Sequence, residues 1–214
     1  MGVTWSFEGC ALSTSVERLH RRQQSKFDCG SACCRMVLAF VESKCELAID
    51  ALPQPCWTVD LYVFLRQCSV GSVMFTLVKG FDLQNQSLDW YGTHMNPVEV
   101  ARCNEQFGIC EEQGFEIGDA NELNVSEIAR RIAKGECAVV LIDDNVLKRD
   151  IEGRYAGHYI VLVTFVGGVF GYLDPASDAA VKTVSQEKLE KAWTSPGTDR
   201  DIIFVWVEST GRGD

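Results

Sequence analysis

The sequence predicts an α+β fold, and three observations carry that prediction. Apolar residues recur at helical spacing in four segments between residues 29 and 134, the first spanning residues 29–42, β-branched and aromatic runs dominate from residue 137 onward, and Gly167-Gly168 joins two of those runs. Helices first and strands after is the pattern of helices packed on an antiparallel sheet. The chain has 214 residues, just under half of them hydrophobic, enough for one substantial core, so residues 1–214 read as a single domain.

Each element follows from a local pattern. Cys29, Ala32, Cys33, Met36, Val37 and Phe40 fall on one helical face, and Asp28 stands at the N-cap position before them. A second helix is expected from about Val59 to Cys68, between Pro53/Pro55 and Gly71. A strand-like run, Ser72 to Val78, comes next. Pro97 suits the first turn of a helix reaching about Gln113, with Gly114 as its stop, and Ser126 to Lys134 forms another that ends at Gly135. The β-rich part comprises Cys137 to Ile142, His158 to Val166, Val169 to Leu173 and Ile202 to Val207, interrupted by a helix from Ser185 to Trp193.

Composition limits the partners. A net charge of −10 disfavours nucleic acid and anionic membrane surfaces, and no run approaches the roughly 20 apolar residues of a membrane span. The N-terminus lacks a secretory pattern, so a cytoplasmic protein is expected. Its ten cysteines are then expected mostly reduced, since Cys33, Cys34, Cys68 and Cys137 lie in apolar runs where cysteine behaves as a small hydrophobe. Two glycosylation-like triplets, at Asn85 and Asn124, carry little weight without a secretory route. A basic run, Arg18, His20, Arg21, Arg22 and Lys26, reads as solvated surface, though its place before Cys29 keeps an anion site open.

Two distant segments carry the chemistry: Gln23-Gln24-Ser25-Lys26-Phe27-Asp28-Cys29-Gly30 and Gly157-His158-Tyr159, the latter followed by Asp174-Pro175. A cysteine opening a helix lies where the macrodipole favours its thiolate. His158, on a strand, can present its ring rigidly as a base, whereas His20 and His94 lie in polar surroundings and read as surface residues. The hairpin returns Asp174 toward His158, where a carboxylate can fix the ring's tautomer. Gln23, with Gln24 as fallback, could offer its side-chain amide beside the Cys29 N–H to a developing oxyanion. The cysteine pairs lack the spacings of zinc modules, so no metal site is expected.

This motif set resembles that of papain-like cysteine proteinases of the C39 bacteriocin-processing type. Nearly the whole chain is similar to the guanylyl cyclase domain-containing family, through residues 28–38, Trp57-Thr58-Val59-Asp60-Leu61, residues 157–162 and Gly197 to Val205. The first resemblance implies a papain-like fold and thiol-dependent cleavage of an amide, isopeptide or ester bond in a peptide or protein substrate. There Cys29 attacks, His158 moves the proton, Asp174 orients His158, and Gln23 assists the oxyanion. The second implies conversion of GTP to cyclic GMP with Mg²⁺ or Mn²⁺. For that chemistry Asp143-Asp144, after a clear strand, is the one adjacent aspartate pair so placed, and a Gly-x-x-x-x-Gly-Lys phosphate loop is absent. The residues favour thiol chemistry without a cofactor; the alternatives are the cyclase and a non-catalytic interaction domain.

Overall fold

The computed structural model describes residues 16–45, 47–88, 91–92, 96–149 and 154–207. Seven strands form one sheet in the order β2-β1-β7-β3-β4-β5-β6: β1 Ser72–Thr76, β2 Ile117–Asp119, β3 Cys137–Asp143, β4 Gly157–Val166, β5 Val169–Leu173, β6 Lys182–Ser185 and β7 Ile202–Val205. The helices are α1 Cys29–Phe40, α2 Thr58–Gln67, α3 Pro97–Glu112, α4 Val125–Ala133, α5 Asp144–Arg149 and α6 Gln186–Trp193. The α+β class is as expected.

The sheet is not wholly antiparallel, as the sequence had suggested. β2 lies parallel to β1, because a helical crossover through α3 returns the chain to the same end of the sheet. Three residues, one of them Gly118, are too few to show alternation. β6 and α5 also escaped the sequence pattern; α5 begins at Asp144, directly after β3.

β3 is buried along its whole length, so it carries apolar residues on both faces. Its odd residues and those of β4 (Val139, Leu141, Tyr159, Val161) pack with α1 and α2, while even residues (Val140, Ile142, Ile160, Leu162) pack with α4, α5 and α6. Gly167 and Gly168 take positive φ values of 61° and 82°, the geometry of a two-residue hairpin turn, and join β4 to β5 as predicted.

Cys68, expected as a reduced core thiol, is instead disulfide-bonded to Cys45. The seven other cysteines among the described residues are free, and Cys29 alone of them is not buried. No helix among those residues is long and apolar enough to cross a membrane.

Candidate active site

The site lies where α1 begins, β4 begins and β5 ends. Leu173, the last residue of β5, pairs antiparallel with Val161, so Asp174 leaves the strand beside the start of β4, which carries His158. The His158 Nε2–H donates to Asp174 Oδ1 at 2.8 Å. With Nε2 so committed, Nδ1 is the ring nitrogen left for the Cys29 thiol, which lies close enough to act on the charge of the ring. The structure therefore brings Cys29, His158 and Asp174 together in the expected order.

The distant segments meet because the loop before α1 is pinned to the turn after β5. His20 Nε2–H donates to the Asp174 carbonyl at 2.9 Å, and the Gln23 backbone N–H donates to the Pro175 carbonyl at 2.9 Å. His20 is thus a half-buried tie rather than the surface residue its polar neighbours suggested. His94 lies outside the described residues.

Asp28 occupies the N-cap position, yet its carboxylate turns away from α1 and makes no cap hydrogen bond. It accepts instead from the backbone N–H of Gln24 at 2.8 Å and of Ser25 at 2.9 Å, closing the loop on itself. Burial pushes the Asp28 carboxyl up, but these donors outweigh it and hold it below the usual value. As the first helical residue, Cys29 has a backbone N–H with no acceptor inside the helix. Gln23 lies in the same loop with its Nε2 donating one hydrogen to Ser25 O at 2.7 Å, which leaves the second available. Gln24 has an exposed side chain.

Burial disfavours a charged His158, but the hydrogen bond to Asp174, then the Cys29 thiol, overcome that and raise its pKa to about 9. Asp174 is wholly buried, which pushes it up, but His158 and Lys148 hold it far below the usual carboxylate range. Asp174 is thereby kept as the carboxylate that faces the ring. Cys29 also lines a cavity of about 220 Å³ whose walls include Trp57, Tyr91, Leu141, Tyr155 and Tyr159. Trp57 is set there by Asp60, which accepts the Trp57 backbone N–H at 2.7 Å and is itself held by Arg102 at 2.6 Å. In the basic run, Arg22 pairs with Asp178, Arg21 folds onto backbone carbonyls and Lys26 stands at the cavity.

The aspartates considered for a divalent cation do not fit that role. Asp143 is buried and accepts the N–H of Asn145 at 3.0 Å and of Ala156 at 3.2 Å, while Asp144 pairs with Lys148 at 2.8 Å. Among the described residues no group of three or more His, Cys, Asp or Glu is placed to hold a metal ion.

A family model described as guanylylate cyclase matches residues 19–205. The chain belongs to that family. It is 27% identical over 221 residues to guanylyl cyclase 1 of Arabidopsis thaliana, covering 94% of this chain and 80% of that protein. A solved structure described as a C39-like peptidase from Bacillus anthracis is similar at 20% identity and a TM-score of 0.33. That likeness covers 40% of this chain and 48% of the other, so the chain spans about half of that protein.

Three residues at the site were missed from sequence: His20, Lys148 and Lys182. Lys148 stands four residues after Asp144, a helical ion-pair spacing that could have been noticed. Lys182 lies on the unrecognised β6 and carried no signal of its own.

Proposed function

We propose that the protein is a cysteine hydrolase acting on an amide, isopeptide or ester bond of a peptide or protein. The observation that carries this reading is the juxtaposition of Cys29 with the hydrogen-bonded pair His158 and Asp174, opening on the cavity at Cys29. In this reading Sγ of Cys29 attacks the carbonyl carbon as its proton passes to His158 Nδ1. The carbonyl oxygen takes up negative charge against the Cys29 N–H and the free hydrogen of Gln23 Nε2. As the C–N or C–O bond breaks, His158 gives its proton to the leaving group and an acyl thioester remains. Water then attacks the thioester, His158 takes its proton, and the acid product leaves with the thiol restored. Throughout, Asp174 keeps Nε2 protonated and the ring aligned.

A cavity of about 220 Å³ falls below the roughly 300–1,000 Å³ of sites that enclose a whole small ligand, and suits one apolar side chain beside the scissile bond. The test is stoichiometric labelling by an electrophilic acyl probe, with the modified residue located by mass spectrometry. Selective modification of Cys29, lost in His158→Ala, is the expected result. Equal slow labelling of every accessible thiol would count decisively against it.

The second reading is the conversion of GTP to cyclic GMP, which the family name favours. The commitments of Asp143 and Asp144 weigh against it. Production of cyclic GMP from GTP with Mg²⁺ or Mn²⁺, surviving Cys29→Ser, would replace the hydrolase. A protein that neither labels selectively nor turns over GTP would be an interaction domain.

A further inference from the structure

The Asp174 carboxylate is fully buried, yet four donors converge on it. His158 Nε2 at 2.8 Å and the Ala176 N–H at 2.9 Å share Oδ1; Lys148 Nζ at 2.9 Å and Lys182 Nζ at 3.2 Å share Oδ2. One carboxylate is thus divided between an imidazole on one oxygen and two ammonium groups on the other. That is more positive charge than burial of a single aspartate requires.

Both lysines are delivered by regular structure. Lys182 pairs with Tyr172 across β5 and β6, so it shares the face of Asp174 two residues on. Lys148 projects from α5, where Asp144 one turn earlier holds its Nζ at 2.8 Å. We propose that Lys148 and Lys182 are positioning residues of the Cys29 site: they keep Asp174 ionised and offset part of its charge, so that the His158 imidazolium releases its proton to the leaving group.

The physical argument is a balance of near charges. A desolvated carboxylate facing an imidazolium alone would bind that proton too firmly for His158 to act as an acid near neutral pH. Cations on the far oxygen lower the field at Nε2 without displacing the hydrogen bond that orients the ring. The charged and titratable groups around His158 and its carboxylate are Asp174 at the end of β5, Cys29 and Cys33 on α1, Tyr172 on β5, Lys148 and Asp144 on α5, Lys182 on β6, and His20 on the Asp174 carbonyl; Cys33 and Tyr172 have their own pKa values pushed up by burial. Asp144 draws back part of the Lys148 charge, whereas Lys182 bears on Asp174 alone among the described residues. Lys182 is therefore the cleaner residue to change.

The consequence for catalysis rests on the hydrolase reading; the electrostatic claim does not need turnover. The experiment is an NMR titration of the His158 ring in protein labelled at histidine, the signal assigned by its loss in His158→Ala. Wild type, Lys182→Gln, Lys182→Arg and Lys148→Gln are compared. The His158 midpoint is expected to rise by about 0.5–1 pH unit in each glutamine variant and to return to the wild-type value in Lys182→Arg. Lys182 is one-third exposed on an edge strand, so its variants are expected to keep the fold, which the remaining histidine signals report. A midpoint unmoved or lowered in both glutamine variants would overturn the proposal. A midpoint that rises while acyl probes fail to select Cys29 would support the charge balance and reject the hydrolase.

Discussion

Asp174 and Asp201 are both buried aspartates at the boundary of a strand, and their surroundings drive them in opposite directions. Asp174 follows β5 and meets His158, Lys148 and Lys182; although burial pushes it up, His158 and Lys148 hold it ionised far below the usual range. Asp201 precedes β7 among threonine hydroxyls, with the Asp199 charge close by and Oδ1 without a hydrogen-bond partner. Its carboxyl is raised by burial first and by Asp199 second, to about 7. The difference teaches that burial sets only the cost of charge; the cations within reach decide whether the charge is kept.

The largest expected effect lies at the ionised aspartate. Asp174→Asn keeps the shape and removes the charge, so Cys29 labelling by an acyl probe should fall by on the order of 10²- to 10⁴-fold with the fold intact. Asp174→Ala goes further and strands two lysines around an empty space. Chemical denaturation of that variant should show a loss of about 3–5 kcal/mol.

At Asp201 the sign reverses. Its folded pKa, about 7, lies above its unfolded value near 3.8, so its contribution to stability is present below about pH 3.8 and is lost as pH rises through about 7. Asp201→Asn should therefore stabilise the protein above pH 7, by about 1–2 kcal/mol or a few degrees in Tm, and leave Cys29 labelling unchanged. Loss of labelling in that variant would break the contrast between the two aspartates.

The smallest effect is the pH profile of wild-type stability. His158, raised to about 9 from 6.5, contributes fully below about pH 6.5 and loses that contribution as pH rises through about 9. Asp174, lowered, contributes above about pH 3.8 and weakens only as pH falls toward its depressed value. Thermal melts should show stability declining in two stages as pH rises, the Asp201 stage between about pH 3.8 and 7 and the His158 stage between about 6.5 and 9, the later one absent in His158→Ala.

How much of this was legible in the sequence differs between the two aspartates. The Asp174 site was readable because short-range features carried it: a cysteine opening a helix, a histidine on a strand, and a glycine hairpin that returns the chain. What was not readable depends on elements that meet only in the fold. Lys182 needed β6, four residues with no clear alternation, and Lys148 needed α5, whose six residues offer no pattern beyond the four-residue step from Asp144. The parallel edge strand β2 was hidden by its length, and the Cys45–Cys68 pair by the ordinary apolar run around Cys68. Asp201 was seen only as part of a family-like segment, since nothing local to it foretells a buried, half-satisfied carboxyl.

The central claim is that Cys29, His158 and Asp174 act as one unit, and the rate of iodoacetamide alkylation at Cys29 tests it most directly. At neutral pH, in wild type, His158→Ala and Asp174→Asn, the account predicts fast alkylation confined to Cys29 that drops at least about 100-fold in the first variant and strongly in the second. Equal rates in all three folded proteins would show an ordinary thiol at the start of a helix, and would contradict the account.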